Sequence, residues 1–243
     1  MIGECLIKRL FGRGKRRMLN VKRQELKYLL HVHEARMLRR RLLSVVPRDP
    51  YSQNGGYFIR SLYFDNPAND GHYDRMEGYE MRKKFRLRIY EFSDKAIIKF
   101  EIKVKDNNTI VKETTLISRK DAEAVMKGNT DCLLGQSEIL NRVYFYFRRH
   151  YYRPAVIVDY RRDAFFLDYN DIRVTFDTCL RKSSSVHSLF DANLKTIPVL
   201  HKRHIILEVK YNHFFPGWLT DLLSGFNFQR CAQSKYCFSR MLY

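Results

Sequence analysis

Residues 85–115, FRLRIYEFSDKAIIKFEIKVKDNNTIVKETT, decide the fold. Their period of two predicts three consecutive antiparallel strands. Arg86, Arg88 and Tyr90 share one face of the first, and Phe85, Leu87 and Ile89 share the other. The next run repeats the arrangement, with Lys99, Glu101, Lys103 and Lys105 opposing Ile98, Phe100, Ile102 and Val104. Lys112 and Thr114 carry the polar face onto the third strand. Like charges opposite one another across strands are destabilising, so a face on which cations surround the single carboxylate of Glu101 calls for an anionic partner. A sheet with its polar face in water shows the same alternation, and this stretch alone leaves both readings open.

Outward from it, the pattern recurs in residues 21–29 (Arg23, Glu25, Lys27), 155–162 (Asp159 and Arg161 on one face) and 204–211 (Glu208, Lys210). Residues 171–178 set Arg173, Thr175 and Asp177 against Val174 and Phe176, and YFIRSLYF at 57–64 is strongly β-prone. Helical spacing or capping signals predict helices over 33–46, after Ser118, over 137–151 and over 216–226. No compositional break or low-complexity linker divides the chain. The expected organisation is a basic N-terminal tail, residues 1–20, and one domain over residues 21–243. The class is α+β, with about eight strands and flanking helices; closed as an antiparallel β-barrel with its polar face turned inward, they would make a tunnel wide enough for one extended ligand. In such a lining the carboxylates Glu25, Glu101 and Glu208 come singly among cations. Burying it calls for phosphates and a divalent cation as counterions.

Composition limits the partner. The 243 residues carry 45 Lys and Arg against 26 Asp and Glu, a formal net charge of +19, which points to a polyanion: nucleic acid, an acidic membrane surface or a phosphate-rich small molecule. Five cysteines without a CxxC pair argue against a disulfide framework or zinc site and for a reducing compartment. The segment MIGECLIKRLFGRGKRRMLN is too basic and too briefly apolar for a signal peptide, and no run reaches the roughly 20 apolar residues of a membrane helix. The expected location is the cytoplasm. Gly12 to Lys15 lack P-loop spacing, the eight histidines fall in no zinc-protease pattern, and no GxSxG elbow or RNA-binding aromatic strand motif occurs.

Several strings, in order, carry a resemblance: Arg23 with Lys27-Tyr28, Ser61-Leu62-Tyr63-Phe64-Asp65-Asn66, Arg86-Leu87-Arg88-Ile89-Tyr90, Glu101 with Lys103, Lys112, Tyr160-Arg161, Arg173 to Asp177, Glu208-Val209-Lys210 and Ser234-Lys235-Tyr236. Over residues 20–243 the chain resembles the VTC (vacuolar transporter chaperone) domain, the polyphosphate polymerase module of the triphosphate tunnel metalloenzyme (CYTH-like) superfamily. The resemblance implies a phosphate-binding lining of Arg23, Lys27, Arg86, Arg88, Lys103, Lys112, Arg161, Arg173 and Lys235. Of these, Arg86, Arg88, Lys103, Arg161 and Arg173 are the implied catalytic cations, and Glu208 is the implied ligand of Mn²⁺ or Mg²⁺, with Glu101 and Lys210 as neighbouring candidates.

The implied activity is metal-dependent transfer of the ATP γ-phosphoryl group to a polyphosphate chain. Hydrolysis of inorganic triphosphate or nucleotides, and polyanion binding without turnover, are the alternatives. Hydrolytic and cyclase relatives begin with Glu-x-Glu-x-Lys, whereas Arg23 stands first here, which disfavours a simple triphosphatase. The implied partners are ATP or another triphosphate and polyphosphate, with no nucleic acid expected and room for a membrane partner protein that exports the product. Eukaryotic members also carry an inositol-phosphate sensing domain and membrane helices, and neither is expected in this chain.

Overall fold

The computed structural model describes residues 24–52, 55–76, 81–106, 109–226, 228–231 and 234–241. In chain order the strands are β1 (Gln24–His31), β2 (Tyr57–Asp65), β3 (Met81–Ile89), β4 (Ile98–Asp106), β5 (Thr109–Ile117), β6 (Arg153–Leu167), β7 (Ile172–Ser183), β8 (Ile197–Pro198), β9 (His204–Tyr211) and β10 (Gln229–Arg230). The helices are α1 (Val32–Leu43), α2 (Asp70–Met76), α3 (Arg119–Met126), α4 (Glu138–His150), α5 (Gly217–Leu223) and α6 (Lys235–Arg240). All strands join one antiparallel sheet in the order β10-β1-β9-β7-β6-β2-β3-β4-β5, with β8 paired to β7.

Among the described residues hydrogen bonding leaves this sheet open, because β5 and β10 end the order without pairing to each other. The closed barrel expected from the sequence is therefore corrected to an open sheet. It nonetheless coils strongly. Lys103 on β4 reaches Glu25 on β1 at 3.1 Å, although five strands separate β4 from β1 in the sheet order. The faces of β1 and β4 that carry these side chains thus look at each other across a cleft.

Alternation fixes what each face meets. On the convex side Leu62, Phe64, Phe85, Leu87, Phe100 and Ile102 pack under α3 and α4. Helix α4 starts where the Ser137 hydroxyl accepts the Leu140 amide at 3.2 Å and stops at left-handed Tyr151, φ 58°. Its buried stripe of Leu140, Val143 and Phe147 covers the sheet, and the Phe147 ring lies 5.2 Å from those of Phe64 and Phe85. Truncating such a ring removes about 3–5 kcal/mol. Farther along the same side, Ala35, Leu38 and Leu42 of α1 cover Phe165, Val174, Phe176 and Leu207. The Glu34 carboxylate accepts the His31 amide at 2.8 Å and caps that helix.

On the concave side a third cluster, including Ile59, Val156, Val158, Tyr160, Leu180 and Ile206, is sealed by Tyr236 and Phe238 of α6. The six residues of α6 lie in the closing run QSKYCFSRMLY, which has no helical period long enough to read. The Ser234 hydroxyl caps it by accepting the Cys237 amide at 3.2 Å. The concave face is thus apolar under α6 and charged beyond it.

Candidate phosphate-binding cleft

The charged zone is built around three glutamates. Glu101 stands at the middle of β4, where Arg86 is its register partner on β3. Arg86 Nε donates to Glu101 Oε2 at 2.6 Å, Arg88 Nη1 lies 3.6 Å from the same oxygen, and Lys112 Nζ on β5 lies 2.5 Å from Oε1. The arginines are oriented from behind. Arg86 Nη1 donates to the Tyr63 hydroxyl at 2.9 Å, and Arg88 donates to Ser61 Oγ at 3.2 Å and to the Tyr160 hydroxyl at 3.3 Å.

The second carboxylate, Glu208 on β9, is reached by Lys235 at 2.8 Å on Oε1 and by Arg162 and Lys210, each at 3.3 Å, on Oε2. Asp177 on β7 adds a further anion. Arg162 grips it through two parallel bonds of 2.7 Å, the strong bidentate form, and Lys235 lies 2.5 Å away. The third is Glu25 on β1, with Lys27 at 2.6 Å, Lys103 at 3.1 Å and Lys210 at 3.7 Å. Lys210 therefore links the second group to the third, and Lys103 links both to the β3-β4-β5 wall.

Protonation follows from this crowding. Burial by itself would raise the carboxyl of Glu101, but Arg86, Arg88 and Lys112 outweigh it and hold Glu101 far below the usual carboxylate range. Glu208 is likewise held well down, burial being overcome by Lys235, Lys210 and Arg162. Burial pushes Lys112 down to about 8 against the opposing pull of Glu101, and it lowers Lys103 and Lys210 in the same way. Lys235 goes the other way: burial is overcome by Asp177 and Glu208, which keep its proton bound. The cleft holds ionised carboxylates whose cations are only partly neutralised. Arriving phosphate oxygens would find amines and guanidinia already gathered.

The cleft brings together Lys27, Arg86, Arg88, Lys103, Lys112, Lys235 and Glu208. Arg173 sits at one end, bonded to Asp49 at 3.0 Å and to the Tyr57 hydroxyl at 3.1 Å. Arg23 lies outside the described residues. Arg161 is corrected. It is exposed and donates to the Gly56 carbonyl at 3.0 Å, because Val156, Val158 and Tyr160 face the concave core and alternation turns Arg162 inward instead. Asp159 and Arg161 do share a face, but it is the outer one, where Asp159 pairs with Arg60 at 2.8 Å. Arg162 and Asp177 are the site residues that sequence reasoning missed. The signal was present in the parity of Arg162 with Tyr160.

A divalent cation meets a mixed donor set. Among the described residues no three His, Cys, Asp or Glu side chains converge on one point, and both oxygens of Glu208 already contact cations. To hold such an ion Glu208 would have to give up one of these contacts, and the remaining oxygens would come from bound phosphates and water.

Comparison with known proteins agrees in part. No curated protein sequence matches the chain. Among solved structures, a "putative adenylate cyclase" from Bacillus halodurans is 11% identical with a TM-score of 0.44, covering 83% of this chain and 87% of the other. The PH1819 protein from Pyrococcus horikoshii OT3 is 10% identical with a TM-score of 0.44, covering 88% and 96%. Residues 22–242 match the VTC domain family along nearly the whole chain, and with the cation-lined cleft on the concave face of its sheet, this protein belongs to the VTC domain family.

Proposed function

We propose that the protein is a polyphosphate polymerase that transfers the γ-phosphoryl group of ATP to the end of a polyphosphate chain held in the cleft. The observation that supports this reading is the convergence of cations from both walls, Arg86, Arg88 and Lys112 on one and Arg162, Lys210 and Lys235 on the other, on a single face of the sheet. The donor's γ-phosphorus bond to the β-phosphate oxygen breaks, a bond to a terminal oxygen of the acceptor chain forms, and ADP leaves. That acceptor oxygen is already ionised, so no protein nucleophile or general base is needed.

The residues contribute position and charge. Arg86 and Arg88, braced by Tyr63, Ser61 and Tyr160, hold equatorial oxygens of the transferred group. Arg162 and Lys235 hold the facing phosphate, and Lys103 and Lys27 track the chain. Arg173, at the cleft end, holds the outermost phosphate. Glu208 would hold Mn²⁺ or Mg²⁺, which would supply charge neutralisation to the phosphates. Such a reaction belongs in the cytoplasm, where ATP is made available; among the described residues no helix is long and apolar enough to cross a membrane.

The test is to incubate purified protein with ATP and Mn²⁺ and resolve the products. Long-chain polyphosphate together with ADP is expected. Free phosphate alone would replace the proposal with hydrolysis, and tight triphosphate binding without either product would replace it with a binding module.

A further inference from the structure

A second concave site lies at the other end of α6. A cavity of about 720 Å³ is lined by α2, the start of β6, the end of β7, the serine-rich segment after it and the last turn of α6. Its cations are Lys182, Lys195 and Arg240, and among the described residues no Asp or Glu lines it. The charged cleft is different, since Arg86, Arg88, Lys103, Lys112, Arg162, Lys210 and Lys235 each touch a carboxylate. Here Lys182 donates to the Met241 carbonyl at 3.0 Å and Arg240 to Asn69 Oδ1 at 2.5 Å, both neutral acceptors. Nδ1 of His72, in the same lining, is buried with no hydrogen-bond partner among the described residues. Ser183, Ser184 and Ser185 complete the polar rim. A concavity lined by positive charge focuses its field on an anion.

The cavity is not part of the polymerisation cleft. Tyr236 and Phe238 of α6, packed on Val156, Val158 and Leu180, put an apolar layer inside the sheet. Lys235 at the first turn of α6 faces Asp177 and Glu208, while Ser239, Arg240 and Met241 at its last turn face the cavity. We propose that this cavity is a separate binding site for a small phosphate-bearing anion, of the size of pyrophosphate or a short inorganic polyphosphate. The donors suit phosphate oxygens: two amines, a guanidinium and serine hydroxyls. One helix then touches two phosphate sites, one at each end.

The experiment titrates the full chain with pyrophosphate by calorimetry and, in parallel, follows amide hydrogen exchange. Two classes of site are expected. Lys195→Glu, at an exposed residue outside the cleft, should weaken one class at least tenfold and leave the other within twofold, and Arg240→Gln should act in the same direction. Pyrophosphate should slow exchange in residues 182–185 and 239–241 of the wild type. Binding unchanged in Lys195→Glu, or no protection of those two segments at saturating pyrophosphate, would overturn the proposal. Neither readout depends on whether the cleft polymerises, hydrolyses or only binds.

Discussion

Replacing Glu101 by Gln tests the electrostatic frame of the cleft. The carboxylate side chain is 3% exposed and touches Arg86, Arg88 and Lys112. Removing one partner of a buried ion pair leaves the other uncompensated and commonly destabilises by about 3–5 kcal/mol. Arg86 and Lys112 keep some water, with side chains 23% and 48% exposed, so the lower end, about 3 kcal/mol, is expected. For a chain of this size that lowers Tm by roughly 6–12 °C, at about 2–4 °C per kcal/mol. The pH dependence has a definite sign. Glu101 is depressed in the folded state, so its contribution is complete above its unfolded value, about 4.3, and is lost as pH falls below that toward the folded one. Wild-type stability should therefore decline below about pH 4.3 more steeply than that of Glu101→Gln. Freed of their carboxylate, the three cations should also take phosphate more readily, so saturating tripolyphosphate should raise the Tm of the variant more than that of the wild type. Thermal unfolding by circular dichroism, with and without tripolyphosphate, reads both effects. A variant within about 0.5 kcal/mol of wild type at pH 7, the range of an ordinary surface substitution, would refute the reasoning.

Three further outcomes follow from single residues. Arg162→Lys keeps the charge but loses the two-bond grip on Asp177 and should weaken tripolyphosphate binding about tenfold, or 1.4 kcal/mol, whereas Arg161→Ala should leave it within twofold by calorimetry. Lys112, pushed down to about 8 by burial against the pull of Glu101, must be protonated to hold phosphate. The affinity gap between wild type and Lys112→Gln should therefore be wide at pH 7 and close as pH rises through 8. Tyr236→Phe removes the hydroxyl that donates to buried Asp65 and should lower stability by about 1.5–3 kcal/mol, as for other hydrogen bonds to charged groups, read by denaturant unfolding.

How far the sequence could be read depended on whether the needed signal was local. The alternation of Arg86, Arg88, Glu101 and Lys103 is a period-two pattern that survives whatever the sheet does globally, and these residues do share the concave face. Closure was not legible, because it depends on hydrogen bonds between the first and last strands of the order, which no local pattern encodes. Arg161 is assigned from the Tyr160-Arg161 string and from the face it shares with Asp159. The charge of Asp159 is consumed on the outer face by Arg60, a strand-neighbour relation visible only in the register. Likewise Asp177 sits in the alternation with Arg173, yet its role comes from β6 and α6, through Arg162 and Lys235. The six-residue α6 has too few turns to show a helical period and is held by its Ser234 cap and by burial of Tyr236.

The most direct measurement of the central claim is a crystal structure of the protein with tripolyphosphate and Mn²⁺. The account predicts a phosphate chain lying along the concave face between Arg86-Arg88-Lys112 and Arg162-Lys210-Lys235, with the metal beside Glu208. A chain bound only on the outer surface of the sheet, with that face empty at saturating ligand, would contradict it.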